Sequence, residues 1–363
     1  MEASGQDPAA PGAIAAVVVN YNGVEHLAPC LEALFAQTTP PGEVIVVDNA
    51  SSDGSRELVR ERFPRARLVE LGENRGPCPA RNRGLAEART GWVLLLDNDA
   101  VLAPEALERL SAAAAANPDS ALIQPRSVHA AEPDRVHYDG AGFHYVGLFS
   151  LRNAGVRVAQ AEGSGVVEVD GAVSVALLAR REAVLEAGGF DGRYFILFED
   201  LDLSYRLRVA GLRILSVEDA IVFHRGGTPG ISFRQGGYPA RRAWLHSRNR
   251  WIFLLKNYRA STLLAALPGL AAYEIAWLAF TLASGTLLEH VEGKIAFLQS
   301  LGDVLDAREA VQKRRRLADR ELLVGGPLTV TPQLAANGAS AAALRLLDRI
   351  LVAWWGIGRR FSG

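Results

Sequence analysis

The residues best suited to chemistry are Asp97, Asn98 and Asp99, which directly follow the apolar run 92–96. This run has the length and continuity of a strand that is buried on both faces. Ligands of α/β sheets bind beyond the carboxyl ends of such strands, where these side chains would lie. Residues two apart in an extended segment point the same way, so both carboxylates could approach one hard cation. A surface turn is the alternative interpretation, because Asp and Asn also favour turns.

A second polar turn, residues 48–54, follows the next predicted strand upstream. Asp48 at a strand end can accept hydrogen bonds from a base imide or a ribose hydroxyl. Asp53 and the serines before it can instead cap the following helix. The first strand is followed by Asn20 and Asn22 rather than by a Gly-x-Gly-x-x-Gly loop, which argues against a dinucleotide dehydrogenase.

Two further candidates lie in the second half of this region. Glu199 and Asp200 stand at a loop-to-helix junction after an aromatic and aliphatic segment. Desolvation there would raise the pKa of a carboxyl group and favour general-base chemistry, although acids in a first helical turn are also ordinary charge complementarity. His224 ends another strand, where it can bind a metal or a phosphate, or be a structural residue.

Composition limits the class of protein. The chain has 363 residues, of which 49% are hydrophobic and 22% charged, as in ordinary folded proteins. Its net charge of −1 gives no global field for recruiting nucleic acid. Cys30 and Cys78 are too few for a disulfide framework, and we expect free thiols in a reducing compartment. Residues 1–12 have no basic residue before the first apolar run, so they lack the start of a secretory signal.

The elements that would position these residues alternate between β-branched runs and helical patterns, which predicts an α/β sheet with crossover helices. The predicted strands are 14–19, 44–47, 68–70 and 92–96, and the helices between and after them are 25–36, 55–63, 77–88 and 104–115. Residues 124–168 look like loops or small antiparallel strands. Regularity returns with a strand near 173–179, helices near 181–187 and after 199, and two short strands at 212–215 and 221–223.

Beyond residue 236 the sequence has helical patterns, some of them basic and some strongly apolar. A basic, aromatic helix is predicted at 240–258 and an amphipathic helix at 341–361. The segment 263–288 is long enough to span a bilayer, but Glu274 and Pro268 make a plain transmembrane helix costly. This segment could be a buried helix, an in-plane interfacial helix or a dimer face. The flanking arginines and the Trp-Trp and Arg-Arg pairs near the end favour contact with anionic lipid.

Taken in order, these motifs resemble those of the family 2 glycosyltransferases with the GT-A nucleotide-diphospho-sugar transferase fold, more narrowly the rhamnosyltransferase-type members. The resemblance spans roughly residues 13–227 and part of the tail. The matching segments are the opening strand and loop, the second nucleotide-binding turn, a donor-pocket segment, an Asp-x-Asp motif and an acceptor-side signature, at 17–23, 46–54, 74–76 with 80–84, 96–99, and 188–191 with 198–207.

The resemblance implies a mixed, mostly parallel sheet flanked by helices, with a helical C-terminal extension. It implies that Asp200, with Glu199 beside it, supplies the catalytic base. Asp99, Asp97 and His224 would hold a divalent metal, Mg²⁺ or Mn²⁺. The residues expected to bind the nucleotide and donor are Asn20, Asn22, Asp48, Asn49, Asp53, Asn74, Arg75, Asn82, Asp97 and Asn98.

The implied activity is the inverting, metal-dependent transfer of one sugar, with rhamnose as a candidate, from a dTDP-, UDP- or GDP-linked donor. The acceptor would be a hydroxyl of a saccharide or of a polyprenyl-linked saccharide in cell-envelope polysaccharide synthesis. The expected partners include an anionic membrane surface and, as a candidate, a second copy of the chain, but no nucleic acid. We expect a cytoplasmic protein peripheral to the inner face of the plasma membrane.

The chain departs from the family pattern at Gly76-Pro77-Cys78-Pro79, where the family more often has Gly-Phe and small residues. A processive polysaccharide synthase is disfavoured because residues 247–251 lack the Gln of a Gln-x-x-Arg-Trp motif. A non-catalytic sugar-nucleotide-binding or scaffold protein remains an alternative, and a nucleotidyltransferase is a more distant one.

The expected domains are a flexible N-terminus at 1–12, a GT-A catalytic domain at 13–235, a helical region at 236–325 and a tail at 326–363.

Overall fold

The computed structural model describes residues 13–228, 230–232, 237–330 and 338–362. The predicted flexible N-terminus, 1–12, and the predicted domain boundary at 235 lie outside the described residues. The chain divides into two compact units. Unit 1 comprises the residues through Ala141 together with Leu151–Leu207 and Leu212–Gly226, and unit 2 comprises Gly142–Ser150, Arg208–Gly211 and the residues from Gly227 onward.

The first part of unit 1 confirms the predicted alternation of strands and helices. Its strands are β1 (Ile14–Asn20), β2 (Glu43–Asp48), β3 (Ala66–Glu70), β4 (Trp92–Asp97) and the short β5 (Ala100–Leu102). Its helices are α1 (Val24–Phe35), α2 (Ser55–Arg62), α3 (Pro77–Glu87) and α4 (Ala106–Ala116). Strands β3, β2, β1 and β4 are parallel neighbours in that order, so their carboxyl ends meet at one edge.

Mixed strand directions appear in the following segment. Its strands are β6 (Ser120–His129), β7 (Glu132–Tyr138), β8 (Ala141–His144), β9 (Leu148–Leu151), β10 (Val166–Val169), β11 (Ala176–Arg180) and β12 (Arg213–His224). Its helices are α5 (Arg181–Glu186) and α6 (Glu199–Val209). The ten-stranded sheet runs β10-β12-β6-β11-β4-β1-β2-β3, with β5 on β12 and β7 on β6.

Two predictions in this segment are wrong. Residues 124–129, at the start of the range predicted as loops or small antiparallel strands, instead belong to the long strand β6, which is parallel to β12. The rest of that range does contain antiparallel strands, including β7 and β10. The polar side chains Gln124 and Arg126 of β6 are buried and paired, which hid the apolar pattern of a core strand. The strands expected at 212–215 and 221–223 are one strand, β12, with an irregularity in register between Val217 and Ile221.

Both faces of the sheet are covered, as the continuous apolar runs predicted. In β1 the side chains of Ala16 and Val18 pack into one core with α1 and α4, whereas Ala15 and Val17 pack into a second core with α3 and α6. Successive side chains of a strand point to opposite faces, so an all-apolar strand requires helices on both sides. The helices on both faces thus hold the strands in place, and with them the sheet edge at which the polar turns lie.

Unit 2 is helical with one small sheet. Its helices are α7 (Ala240–Asn257), α8 (Ala260–Ala283), α9 (Leu287–Gln299), α10 (Leu301–Arg314), α11 (Asp319–Leu322) and α12 (Gly338–Gly358). The strand β13 (Leu323–Val324) joins β8 and β9 in a three-stranded sheet. The predicted apolar segment 263–288 is not one helix, because the chain turns at Gly285 with φ of +73° before α9.

By length and composition, α8 is the single helix in the described part of the chain that could cross a membrane. Of its most apolar window, 28% is buried within the structure. Length and hydropathy alone are weak grounds for a span, since core helices of soluble proteins can meet the same criteria.

We expect Gly84→Ala to destabilise the protein because α3 approaches β1 closely at this glycine. A Cβ on Gly84 would lie 2.2 Å from Cγ1 of the buried Val17, whose β-branched side chain has little freedom to move. Overpacking of this kind typically costs about 1–3 kcal/mol. Urea unfolding followed by circular dichroism measures the change. Gly72→Ala, which has no heavy atom within 4 Å of its Cβ, is the control, and equal midpoints for the two variants would contradict this packing.

Candidate functional site

The carboxyl edge of β1, β2 and β4 is tied together by side-chain amides. The Asn20 Nδ2 atom donates to Asp48 Oδ2 at 2.9 Å and to Ser51 Oγ at 3.1 Å. Its Oδ1 atom accepts a hydrogen bond from Asn98 Nδ2 at 2.6 Å. Asn20 therefore links the three predicted polar segments into one edge. Asn22, at φ of +47°, adds a further link because its Oδ1 accepts from the Ser52 backbone N–H.

Asp48 is 1% exposed, and both of its oxygens are used within the protein. Oδ2 accepts from Asn20, and Oδ1 accepts from the Ser51 backbone N–H at 2.9 Å. The side chain therefore shapes the turn after β2. Its predicted contact with a nucleotide base stays a prediction.

Asp53 stabilises the start of two helices. Its carboxylate accepts from the backbone N–H of Val24, the first residue of α1, and from that of Ser55, the first residue of α2. Burial acts to raise the pKa of Asp53, but hydrogen bonds from Ser55 and Val24 outweigh it and hold the pKa below its ordinary value. This is the helix-capping interpretation of Asp53.

The predicted donor-pocket segment contains both structural links and a solvent-exposed group. Asn49 donates to Asn74 Oδ1 at 2.8 Å and to the Gly76 carbonyl at 2.9 Å. Asn82 exchanges two hydrogen bonds of 2.8 Å with the backbone of Phe190. Arg75 is exposed and pairs with Glu73. The nucleotide- and donor-binding roles of these residues also stay predictions.

Arg81 on α3 is the cation around which the acidic residues gather. It is 4% exposed, and its Nη2 donates to Asp97 Oδ1 at 2.9 Å. Its Nη1 lies 3.4 Å from Glu199 Oε1 and 4.0 Å from Asp200 Oδ1. One buried guanidinium therefore joins the Asp-x-Asp motif to the acidic start of α6, two segments that are about one hundred residues apart in the sequence.

The two neighbouring carboxylates at the start of α6 have different surroundings. The Glu199 side chain is 7% exposed, and its Oε2 finds no hydrogen-bond partner among the described residues. Burial, with a smaller contribution from Asp200, raises the pKa of Glu199 to about 8. The Asp200 side chain is 18% exposed and accepts a hydrogen bond from Ser174 Oγ. The predicted desolvation thus falls on Glu199, and Asp200 is the more accessible carboxylate.

The loop before α6 has a strained backbone. Phe195, Leu197 and Phe198 have φ values of +62°, +67° and +75°. Bulky residues rarely adopt this region, and such strain concentrates at functional sites. The Phe195 carbonyl leaves no space for a side chain at Gly76, where a Cβ would lie 2.4 Å from its oxygen. The predicted donor-pocket segment and the predicted acceptor-side signature thus meet at a glycine.

The extended segment predicted for the Asp-x-Asp motif is wrong, because residues 98 and 99 form a turn instead of continuing β4. The two carboxylates have different nearest partners. Asp97 pairs with Arg81, whereas Asp99 Oδ2 lies 3.3 Å from His224 Nε2. Burial acts to raise the pKa of Asp99, but the hydrogen bond and charge of His224 hold it below its ordinary value. The role of Asp97 as a metal ligand stays a prediction.

His224 is held from its other side by a second histidine. Its Nδ1 lies 3.1 Å from Nδ1 of His137, so one of these two nitrogens must carry a proton. The His137 ring packs in turn on His129, with centroids 4.2 Å apart. A hydrogen bond to the second ring nitrogen orients a histidine that binds a metal. His137 thereby keeps His224 Nε2 facing Asp99.

The Asp99–His224 pair has the donor atoms of a divalent-metal site but only two of its ligands. Among the described residues, no group of three or more His, Cys, Asp or Glu side chains is arranged to hold a metal. Magnesium-like ions commonly take one or two carboxylates and complete their coordination with substrate phosphates and water. The surplus of carboxylates over the one guanidinium also fits a cation. The residues present therefore fit a metal that binds together with a diphosphate.

Sequence reasoning did not single out Arg81, Ser174 or His137. The signal for Arg81 was its helical phase, since it lies three residues after Cys78 and four before Leu85, both buried on the same face of α3. A charged residue in phase with a buried face predicts a buried ion pair. Nothing in the local sequence distinguishes Ser174 or His137 from ordinary strand and loop residues.

We expect Arg81→Gln to destabilise unit 1 strongly. Removing the guanidinium leaves Asp97 and Glu199 without their buried cation, and breaking a buried ion pair typically costs about 3–5 kcal/mol. Chemical denaturation followed by circular dichroism measures this change. Arg83→Gln on the same helix is the control, because Arg83 is exposed and pairs only at the surface with Glu87. Equal stability of the two variants would contradict the role of Arg81.

Comparisons with known proteins identify the family. A sequence profile described as Glycosyl transferase family 2 matches residues 15–155, and one described as Glycosyl transferase family group 2 matches residues 92–300. The chain is 30% identical over 265 residues to the N-acetylglucosaminyl-diphospho-decaprenol L-rhamnosyltransferase of Mycobacterium tuberculosis (strain CDC 1551 / Oshkosh), covering 67% of this chain and 84% of that protein.

Two further similarities cover less of the respective proteins. The succinoglycan biosynthesis protein ExoO of Rhizobium meliloti (strain 1021) is 40% identical over 95 residues, 26% of this chain and 27% of that protein. The crystal structure of GalNAc-T7 with UDP, GalNAc and Mn²⁺ superimposes with a TM-score of 0.55 at 15% identity, over 80% of this chain and 57% of that one. The second similarity concerns the fold alone. The chain therefore belongs to glycosyltransferase family 2, is a rhamnosyltransferase-like member with the GT-A fold, and is a glycosyltransferase that uses a nucleotide sugar.

Proposed function

We propose that this enzyme transfers a single sugar, with rhamnose as the first candidate, from a nucleoside diphosphate to a saccharide hydroxyl with inversion. The observation that carries the proposal is the convergence of two acidic segments on Arg81. It brings Asp97, beside Asp99, and the Glu199–Asp200 pair to one sheet edge. The identity of 30% to a transferase named for L-rhamnose supports the choice of sugar.

In this proposal Asp200 is the general base. Its carboxylate is the more accessible of the pair and is held by Ser174, so it can accept the proton of an acceptor hydroxyl. The hydroxyl oxygen then attacks the anomeric carbon on the side opposite to the departing diphosphate. Glu199 is buried beside this base, and its burial raises its pKa. In the proposal it lies next to Asp200 without taking the acceptor proton. No covalent intermediate with the enzyme is required.

In the proposal, the leaving diphosphate binds at the end of the site formed by Asp99 and His224. Asp99 and His224, and Asp97 in the sequence-based prediction, would hold a divalent cation, which supplies charge neutralisation for the diphosphate. Carboxylates suit Mg²⁺ and Mn²⁺, and the imidazole favours Mn²⁺ of the two. The structure of GalNAc-T7, which has the same fold, contains Mn²⁺ with UDP, which supports this assignment.

The acceptor in the proposal is a polyprenyl-linked saccharide. The similar mycobacterial protein is named for a decaprenol-linked N-acetylglucosaminyl diphosphate, which supports an acceptor anchored in a membrane. Such an acceptor would place the enzyme in the cytoplasm at the inner face of the plasma membrane. A soluble saccharide acceptor is the alternative, and transfer assays with the two acceptor types distinguish them.

We expect Asp200→Asn to lower kcat by about 10²–10⁴-fold, the usual contribution of a positioned general base. Nucleotide binding should be retained, because Asp200 lies at the acceptor side. Steady-state transfer with a dTDP-, UDP- or GDP-sugar and a verified acceptor, together with calorimetry of the nucleoside diphosphate, measures both. Glu199→Gln should cost less than Asp200→Asn, and the exposed Asp134→Asn should cost nothing. Wild-type turnover by Asp200→Asn would overturn the assignment.

We expect Asp99→Ala to abolish the metal-dependent part of nucleotide binding, since it removes a carboxylate ligand of the proposed cation. Isothermal titration of dTDP, UDP and GDP with and without Mn²⁺ measures it. The exposed Asp119→Ala, on a surface ion pair with Arg213, is the control. If Asp99→Ala keeps the same gain in affinity from Mn²⁺ as the wild type, the metal is held elsewhere. A protein that binds the donor but never hydrolyses or transfers it would instead be a binding protein.

A further inference from the structure

A surface helix of a soluble domain exposes its polar residues. Helix α8 instead buries polar residues and exposes apolar ones. Its polar residues Thr262, Tyr273 and Thr281 are buried. From residue 264 to its end, every exposed residue of α8 is apolar. These residues are Leu264, Leu267, Pro268, Ala271, Ile275, Leu278, Ala279, Leu282 and Ala283.

The exposed residues of α8 form one continuous row. Positions 264, 267, 271, 275, 278 and 282 are separated by steps of three or four residues, which places them on one side of a helix. The row extends over about 27 Å at the rise of an α-helix. Ile275, 70% exposed, and Leu264, 67% exposed, are among the most exposed hydrophobic residues of the chain.

The single charged residue of α8, Glu274, does not interrupt this row. Its carboxylate accepts hydrogen bonds from Arg250, from Trp251 Nε1 at 2.7 Å and from Lys294 Nζ at 2.9 Å. The acid is therefore satisfied within unit 2. The same ion pairs hold one side of α8 against α7 and α9.

Helix α12 lies beside α8 and carries exposed arginines. Trp354 Nε1 donates to the Ala265 carbonyl at 2.9 Å. In α12 and the short turn after it, the exposed large hydrophobic residues are Leu346, Ile350, Val352, Ile357 and Phe361, and the exposed charged residues are Arg345, Arg349, Arg359 and Arg360. The acid of α12, Asp348, is half-buried and accepts from the Leu328 backbone N–H at 2.7 Å.

We propose that these exposed rows of α8 and α12, here called the apolar–basic face, dock on an anionic lipid bilayer with α8 lying in the membrane plane. An apolar row bordered by arginines without exposed acids is the pattern of an interfacial helix on anionic lipid. The inference extends the proposed function, since a lipid-linked acceptor places the enzyme at a membrane, but its test needs neither donor nor acceptor.

Two other occupants fit this face less well. A second copy joined by a two-fold axis would bring the same face against itself, and the described residues of α8 and α12 offer no exposed acid to pair with the arginines. A membrane span would require lipid on all sides of α8. Its buried residues and the Glu274 ion pairs with Arg250 and Lys294 hold one side inside unit 2.

Flotation of the full chain with vesicles tests the lipid contact. We expect the wild type to float with vesicles of equal parts phosphatidylcholine and phosphatidylglycerol, and much less with phosphatidylcholine alone. Ile275→Asp/Leu278→Asp should weaken binding by roughly tenfold or more, because carboxylates are poorly tolerated at an apolar lipid contact. Val166→Asp/Leu185→Asp, two exposed apolar positions of unit 1, is the matched control and should float like the wild type. Arg345→Gln/Arg349→Gln should lose binding to the anionic vesicles.

The wild type itself decides the outcome even if a variant folds poorly. Wild-type protein that stays at the bottom of the gradient with both vesicle types overturns the proposal. A lipid-independent dimer in sedimentation that is lost in Ile275→Asp/Leu278→Asp would assign the face to a second copy and also overturn it. Calorimetric binding of nucleoside diphosphate by the same samples reports separately on the proposed function.

The orientation of α8 has its own test, because both native cysteines are buried. Leu264→Cys and Leu282→Cys can each carry an environment-sensitive fluorophore at opposite ends of the row. On bound vesicles, we expect equal quenching at both sites by a shallow lipid-attached quencher and equal accessibility to an external reductant. Protection of one site only would show a helix that crosses the bilayer and would contradict in-plane docking.

Discussion

The candidate active site depends on one buried guanidinium. Arg81 is the cation that Asp97, Glu199 and Asp200 share, and it lies on a helix held tightly against β1 at Gly84. A buried positive charge is tolerated only when it is paired, and buried carboxylates require a cation for the same reason. The mutual requirement fixes the distance between the segment proposed to face the leaving group and the segment proposed to supply the base. The backbone strain of loop 195–198 and the positive φ of Gly76 persist because the surrounding structure holds both segments in place.

Much of unit 1 could be predicted from the sequence because its strands are continuous apolar runs separated by helical patterns. β1 and β4 follow directly from this pattern. β6 does not, since its buried Gln124 and Arg126 are satisfied by partners that only the tertiary structure supplies. Similarly, Asp97 and Asp99 could be identified as acids at a strand end, but their separate partners depend on a turn and on Arg81 and His224.

The residues with predicted roles divide into those that build the edge and those to which we assign the chemistry. Asp48, Asp53 and Asn82 use their hydrogen bonds in turns, at helix starts and on a neighbouring backbone. Asp200, which accepts from Ser174, and Asp99, which lies beside His224, are partly exposed. In unit 2, the apolar composition of α8 was visible in the sequence, but its inverted burial was not, because composition does not tell which side of a helix is packed.

The central claim is that Asp99 and His224 define the leaving-group end of the site that Arg81 organises. The most direct measurement is anomalous diffraction from crystals grown with Mn²⁺ and a nucleoside diphosphate. The account predicts one manganese peak within coordinating distance of both Asp99 Oδ2 and His224 Nε2, with the diphosphate on the same ion. A bound nucleotide with manganese at another position, or with no manganese at all, would contradict it.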